Sequence, residues 1–288
     1  MKFASMLALA VAACVVAACG DTSGETAGGA AASSGGHAGS GSGGTGGGGA
    51  GFGGQASGGN GSGGFDVGDS GPRDGENGYC GSALTGKIRD FQDTHPDFES
   101  ALGSDPGIVE AALGADRKPV YAHGANPTAT VHGRDTFDQW YRDVSGVNQS
   151  KPLVLQLTDM GGGVFTFQDD DFFPIDGELF GNQGRDHNFH FTYELHTKFV
   201  YRGGEVFTFT GDDDLFTFIN GRLAIDLGGV HGAQTSSVDL DARAGELGLS
   251  VGGTYELEVF AAERHTSESH FRIDTTIASF VDCGGTIY

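Results

Sequence analysis

The stretch FHFTYELH, residues 189–196, alternates apolar and polar side chains along its whole length. Its odd-numbered positions are Phe, Phe, Tyr and Leu, and its even-numbered positions are His, Thr, Glu and His. A period of two is typical of a β-strand that turns one face toward an apolar core. The stretch therefore predicts a strand with an apolar face and a polar face.

Further short runs rich in β-forming residues follow the same pattern, at residues 205–210, 215–219, 223–227, 255–260 and 271–277. Glycine-containing turns separate them, and Asn220-Gly221 is typical of a type I′ hairpin because both residues tolerate a positive φ. Many short strands with closely spaced turns predict an all-β sandwich or barrel. Helix signals are few, and the two candidates, residues 106–113 and 136–143, lie near the start of the folded part.

The composition divides the chain in two. Of its 53 glycines, 26 fall between residues 20 and 78, in a segment with almost no apolar side chains. Such a segment cannot offset its ordering entropy, so residues 19–79 are predicted to be a disordered linker with a reach of about 40–45 Å. Residues 80–288 are long enough to form one globular domain.

The first nineteen residues indicate export. A basic start is followed by an apolar stretch, residues 3–18, that is too short to span a bilayer, and the stretch ends Val-Ala-Ala-Cys. This ending resembles the bacterial lipobox, which predicts a signal peptide at residues 1–18 and lipid attachment at Cys19; an ordinary signal peptide is the alternative. Gly20 stands where the inner-membrane retention signal has Asp, so we expect an outer-membrane lipoprotein that contacts the membrane only through its N-terminal lipid.

The charge of the chain bears on which partners it can bind, and its cysteines bear on how the domain is held together. The chain has 38 acidic and 16 basic residues and a net charge of -22, which argues against a nucleic-acid partner.

Cys80 and Cys283 bracket the domain and lack the spacing of a metal site. In an oxidising compartment such a pair most simply forms a disulfide; two free thiols are the alternative.

Three consecutive carboxylates, Asp212, Asp213 and Asp214, crowd the turn between two predicted strands. Like charges this close repel each other unless water or a cation screens them. Oxygen ligands of this kind suit Ca²⁺ better than Zn²⁺. A hydrated acidic turn is the alternative, and a second triplet at residues 169–171 shows that acidic runs are not rare in this chain.

Several further strings are distinctive: HNFHFT at residues 187–192, GDDD at 211–214, FING at 218–221, DLGGVH at 226–231 and AERHTSES at 262–269. Together with TGKIRDF at 85–91 and HPDF at 95–98, they resemble the fibro-slime domain, a branch of the protective-antigen-type lectin barrel superfamily. The resemblance covers nearly all of residues 80–288 and implies a β-sandwich barrel found on cell-surface and matrix proteins.

The resemblance also implies a calcium site. In the lectin members, two adjacent aspartates joined by a cis peptide bind one Ca²⁺ beside the glycan, and this pair corresponds to Asp212 and Asp213, with Asp213 and Asp214 as the other register. Further ligands come from a late loop that corresponds to residues 265–270, where Ser267, Glu268 and Ser269 are weaker candidates. Many members bind no sugar.

Other chemistry is less well supported. His187, His190 and His196 could suggest Zn²⁺, but the latter two alternate along one strand with Glu194, which favours a polar sheet face, and HExxH is absent. No GxSxG elbow accompanies the Ser and His residues, so an enzyme is not expected.

Two functions remain. The first is a surface-anchored module that binds carbohydrate or extracellular matrix polymer with a bound Ca²⁺. The alternative is a structural slime or envelope component that assembles through protein–protein contacts without sugar.

Overall fold

The computed structural model describes residues 81–282. The predictions for the leader at residues 1–18, for Cys19, for the linker at residues 19–79 and for the disulfide between Cys80 and Cys283 lie outside this range and stay predictions. Within residues 81–282, no helix is both long and apolar enough to cross a membrane.

The domain is predominantly β, as predicted. In chain order its elements are β1 (Ala83–Phe91), β2 (Gly103–Ser104), α1 (Arg134–Phe137), β3 (Asn148–Gln156), β4 (Thr158–Gly161), β5 (Val164–Asp169), β6 (Phe191–Val200), β7 (Val206–Gly211), β8 (Asp214–Ile219), β9 (Arg222–Leu227), β10 (Gly229–Val230), β11 (Gln234–Asp239), α2 (Leu240–Leu247), β12 (Thr254–Glu263), β13 (Phe271–Thr275) and β14 (Phe280–Asp282). The first sheet has the order β3-β1-β6-β12-β8-β9 with β14 beside β6, the second has the order β11-β7-β13-β5-β4, and β2 pairs with β10. All these pairings are antiparallel.

The main core contains the apolar face of β6. Tyr193, Leu195 and Phe199 belong to the same buried cluster as Phe207 and Ile273 of the second sheet. Burial of aromatic and aliphatic side chains at this scale is the main stabilising contribution in such a sandwich. The alternation predicted from residues 189–196 is thus confirmed for the apolar side.

The polar face of β6 is also buried, which the sequence pattern did not indicate. Residues 92–147, which we call the cover segment, lie over the outer face of the first sheet. In a second apolar cluster, Trp140 and Tyr141 of this segment pack with Phe216, Phe218 and Phe260 of the sheet. His190, Thr192, Glu194 and His196 are consequently enclosed between sheet and cover.

The hairpin and helix predictions had different outcomes. Asn220 and Gly221 both have positive φ, 52° and 70°, as the type I′ prediction requires. The helix predicted at residues 106–113 is wrong, because this segment is irregular and forms isolated bridges from Val109 to Tyr121 and from Ala112 to Arg222. The predicted 136–143 helix overlaps α1 only at its first two residues. The unpredicted α2 follows the capping residue Asp239, whose side chain accepts from the Ala242 amide.

Asp90 is a buried carboxyl that ties β1 to the following loops. Its Oδ1 accepts from Asn188 Nδ2 at 2.9 Å, and its Oδ2 accepts from the Phe180 amide at 2.6 Å. Burial raises the pKa of Asp90 to about 6, although hydrogen bonds from Asn188 and Phe180 offset part of the effect. The folded state therefore keeps this proton over a pH range in which the unfolded chain has lost it.

We predict that Asp90 makes folding stability fall as pH rises from about 4 to about 6. In that range the folded state binds more protons than the unfolded state, so the free energy of unfolding decreases with pH. A shift of this size corresponds to about 3 kcal/mol. Urea unfolding of the protein and of Asp90→Asn at several pH values checks this, because Asn cannot titrate. A stability difference between the two proteins that is independent of pH would contradict it.

Candidate functional site

The acidic turn joins β7 to β8. Asp212 and Asp213 form the turn itself, and Asp214 is the first residue of β8. Asp213 has a positive φ of 50°, and its amide donates to the His231 carbonyl at 3.1 Å. The cis peptide expected between two aspartates is not present: within residues 81–282 the cis peptide bond lies between Thr266 and Ser267.

Arg264, directly after β12, organises the surroundings of this turn. Its side chain is fully buried, and Nε donates to Asp214 Oδ2 at 2.6 Å. Nη1 donates to the carbonyls of Asp97 at 2.9 Å and Thr130 at 2.8 Å, both in the cover segment. The guanidinium also lies 4.5 Å from the Trp140 ring centroid, a cation–π distance. One side chain thus links turn, sheet and cover.

Asp214 is removed from the candidate ligand set by this arrangement. Besides the Arg264 contact, its Oδ1 accepts from the Gly229 amide at 2.7 Å, so both oxygens are engaged. As the first residue of β8 it lies on the same face as Phe216 and Phe218, under the cover segment. The prediction that Asp214 binds a cation is corrected for this reason: its carboxylate neutralises Arg264.

Asp213 and Asp212 have different hydrogen-bond partners. Asp213 accepts from the His231 amide at 3.1 Å and from the Arg264 amide at 2.7 Å. Asp212 Oδ2 accepts from the His270 amide at 2.9 Å and from the ring Nδ1 at 2.6 Å. The other oxygen, Asp212 Oδ1, is buried and makes no hydrogen bond within residues 81–282.

A third carboxyl group joins these two. Glu263, the last residue of β12, is buried, and its Oε1 also makes no hydrogen bond within the described chain. Burial and the charge of Asp213 raise the pKa of Glu263 well above its ordinary value. A buried oxygen without a partner is costly, so a bound ion or water at Asp212 Oδ1 and Glu263 Oε1 would stabilise the site.

The site contains more acidic than basic groups. Asp212, Asp213, Asp214 and Glu263 lie near the single guanidinium of Arg264. Burial raises the pKa of Asp213, and the nearby charge of Asp214 adds to this, while Arg264 opposes it. The hydrogen bond to Asp212 raises the pKa of His270. A cation at the site would favour the ionised forms of these crowded carboxyls.

A cavity of about 330 Å³ opens above the turn. It is lined by residues of the turn, of the β10–β11 connection, of the cover segment and of the loop after β12: Leu102, Asp212, Asp213, Val230, His231, Gly232, His265, Thr266, Ser267 and Glu268. The structure therefore brings Ser267 and Glu268 to the same cavity as the two aspartates. Ser269 does not line it and donates to the Phe172 carbonyl at 2.9 Å.

The histidines do not share a metal site. His187 pairs with Asp176 at 2.6 Å, His190 with Glu99 at 2.9 Å and His196 with Glu194 at 2.6 Å. Within residues 81–282, no group of three or more His, Cys, Asp or Glu side chains is arranged to hold a metal. A cation at the acidic turn would therefore need backbone, water or ligand oxygens besides the carboxylates.

Sequence reasoning missed Glu263 and Arg264 as parts of the site. The signal available was the charged pair Glu263-Arg264, which directly follows the apolar run Val259-Phe260-Ala261-Ala262, where a charged residue is unusual. His231 and His270 were also missed, because their contribution is mainly through backbone amides, which no side-chain pattern reveals.

Comparison with known proteins shows what part of this chain is similar to. Residues 169–287 match the family model of the PA14 domain. Two curated relatives from Dictyostelium discoideum are protein psiR, 39% identical over 211 residues (66% of this chain and 21% of psiR), and protein psiD, 40% identical over 221 residues (70% of this chain and 43% of psiD). The chain thus spans less than half the length of these relatives. The narrower fibro-slime assignment stays a prediction.

Among solved structures, a PA14 sugar-binding domain from an RTX adhesin aligns with 67% of this chain and 89% of its own, at 12% identity and a TM-score of 0.32. A likeness this weak carries no argument about function.

Replacing Arg264 by Ala is predicted to destabilise the fold by about 3–5 kcal/mol, because Asp214 would stay buried without a counter-charge. Arg272 is the matched control: it also pairs with a carboxylate, Asp274 at 2.6 Å, but its side chain is 42% exposed. Arg272→Ala should cost about 1 kcal/mol or less. Urea unfolding of both variants checks this, and equal losses would show that Arg264 has no special structural role.

Proposed function

We propose that this domain is a non-enzymatic, lectin-like adhesion module that binds carbohydrate or an extracellular matrix polymer through a bound Ca²⁺. The observation that carries the proposal is the pair of buried, unpartnered oxygens, Asp212 Oδ1 and Glu263 Oε1, near Asp213. The proposal includes attachment to a bacterial outer membrane by a lipid on Cys19.

Calcium fits the donor set better than a softer metal. Carboxylate oxygens suit hard cations, and Ca²⁺ takes six to eight oxygen ligands in flexible geometry. Asp212 and Asp213 line the cavity and would hold the ion together with backbone, water or ligand oxygens, and Ser267 and Glu268 on the cavity wall can add oxygens. Glu263 would add negative charge beside them. A divalent cation would also favour the ionised forms of Asp213 and Glu263, whose pKa values are raised by burial.

Carbohydrate is the favoured ligand class because the protein side chains would fill only part of the coordination shell of the calcium ion. Two carboxylates leave several coordination positions for water or for hydroxyl groups of a ligand. The cavity of about 330 Å³ has the size of a small-ligand site and combines polar groups with exposed Leu102. The PA14 match of residues 169–287 and the lectin expectation from the sequence support the same class.

Calcium is expected to bind the purified protein and to raise its melting temperature. At a calcium concentration 100-fold above Kd, linkage stabilises the folded state by about 2.7 kcal/mol, or roughly 5–10 °C for a domain of this size. Isothermal titration and thermal unfolding in calcium and in EDTA measure both effects. Asp212→Asn and Glu263→Gln should each weaken binding at least about tenfold, since each removes a negative charge at or beside the ion.

A stability measurement and a control variant distinguish loss of calcium binding from loss of folding. Without calcium, Glu263→Gln should be at least as stable as the original protein, because burial disfavours the ionised carboxyl. Asp135→Asn is the control, since Asp135 is an exposed carboxylate in α1. Absence of heat on titration, with equal melting in calcium and EDTA, would refute the calcium site.

Sugar recognition is expected to require the ion. A glycan array probed with the original protein should give calcium-dependent signals that EDTA and Glu263→Gln abolish, because ligand hydroxyls would coordinate the metal. A blank array together with concentration-dependent self-association in solution would overturn carbohydrate binding and favour the structural, matrix-forming alternative.

A further inference from the structure

A second cavity, of about 200 Å³, lies within the cover segment, at the end of the β1–β3 ladder. We call it the histidine cavity; it is lined by Gln92, Thr94, His95, Pro96, Gln139, Gly146 and Val147. It shares no lining residue with the cavity at the acidic turn, and it lies outside residues 169–287, which match the PA14 model. Its chemistry is therefore separate from that of the proposed calcium site.

His95 is held in one orientation by its neighbours. The residue is only 7% exposed, and its ring packs edge-on against Phe91 and Phe98, with centroid distances of 5.4 and 5.1 Å. The Asp97 amide donates to the ring Nδ1 at 3.3 Å. Aromatic packing and this hydrogen bond together fix the position of the imidazole.

The hydrogen bond from Asp97 also determines which ring nitrogen carries the proton. A backbone amide only donates, so Nδ1 accepts, and the proton of the neutral ring is on Nε2. Burial lowers the pKa of His95, although the charge of Asp97 and the side chain of Gln139 oppose this effect. The ring is therefore neutral at pH 7 and presents an Nε2–H donor.

This donor has no acceptor in the described chain. Nε2 of His95 is buried and makes no hydrogen bond within residues 81–282. Gln139 lies beside the ring, but its own Nε2 donates to the Asp135 carbonyl at 2.9 Å. A buried donor without an acceptor is costly, so an acceptor that a ligand supplies is favourable here.

The other lining residues of the histidine cavity are uncharged, so a charged ligand would find no counter-charge among them. Gln92 and Gln139 carry amide groups, which both donate and accept hydrogen bonds. Pro96 and Val147 add apolar surface. This combination matches a neutral ligand that has a carbonyl, an N–H and a small apolar group.

The backbone around the cavity is held by one buried residue, Asn148. Its Nδ2 donates to the carbonyls of Gln139 at 3.1 Å and Arg142 at 2.8 Å, and its Oδ1 accepts from the Val144 amide at 3.1 Å. The segments that carry Gln139 and Val147 are thus tied to the first residue of β3. A site that is formed before the ligand arrives loses less entropy on binding.

We propose that the histidine cavity binds the acetamido group of an N-acetylated sugar without calcium. His95 Nε2 donates to the carbonyl oxygen of the ligand, Gln139 Oε1 accepts from its N–H, and its methyl group packs against Pro96 and Val147. The cavity is smaller than the sites of about 300–1,000 Å³ that hold drug-sized ligands, and its size suits a group of this kind. This inference does not depend on the proposed calcium site.

Titration of the purified protein with N-acetylglucosamine in EDTA tests the proposal, with glucose as the match that lacks the acetamido group. We expect saturable binding of N-acetylglucosamine and none of glucose. His95→Phe keeps a ring against Phe91 and Phe98 but removes the donor, and it should weaken binding about tenfold. His123→Phe, the same change at an exposed histidine outside the cavity, should leave binding unchanged.

Nuclear magnetic resonance gives a direct readout. The Nε2–H signal of His95, assigned by its absence in His95→Phe, should shift on addition of N-acetylglucosamine and not of glucose. Thermal unfolding establishes which variants are folded. Gln139→Met has the same length without the amide, and it should also weaken binding about tenfold; it keeps the test valid if His95→Phe does not fold.

Four results would each overturn the proposal. They are no binding of N-acetylglucosamine, equal binding of glucose, equal binding by the original protein and a folded cavity variant, and an Nε2–H signal that does not move. Binding that occurs in calcium but not in EDTA would assign the sugar to the acidic turn and would overturn the proposal too, while supporting the calcium-dependent function.

Discussion

The buried ion pair between Arg264 and Asp214 is the interaction on which the rest of the structure depends. Both side chains are fully buried, so neither charge has water to compensate it, and each needs the other. Arg264 also bonds to carbonyls of Asp97 and Thr130, while its amide donates to Asp213. Strand β8, the cover segment and the acidic turn are therefore held in one geometry by a single residue.

This arrangement explains why three consecutive aspartates have three different environments. Asp214 belongs to the strand and faces the second core, Asp213 lies in a left-handed turn conformation, and Asp212 reaches the loop after β12 through His270. Side-chain alternation along β8 determines which carboxylate neutralises Arg264 and which remain at the cavity. The local chemistry follows from the register of the β8–β12 ladder, in which Asp214 lies opposite Ala262.

Those parts of the fold that depend on local pattern could be predicted from the sequence. Periodicity predicts the strand at residues 189–196, and turn chemistry predicts the turn at Asn220-Gly221. The family resemblance predicts that the loop with Ser267 and Glu268 lies near the aspartates of the acidic turn. Three features depend on contacts between segments that are distant in sequence. They are the face on which Asp214 lies, the position of Glu263 beside the acidic turn and the burial of the polar face of β6. No local signal in residues 92–147 shows that they cover a sheet, because their apolar residues have no regular period.

The cover segment has a practical consequence for studies of this domain in isolation. The span that matches the PA14 model begins at residue 169, after β1, β3 and the entire cover. A fragment cut at that boundary would leave Glu194 without Arg89 and Lys118 and would open Phe216 and Phe260 to solvent. The packed unit is thus larger than the span that matches the PA14 model, and truncation should follow the first strand, not the edge of that match.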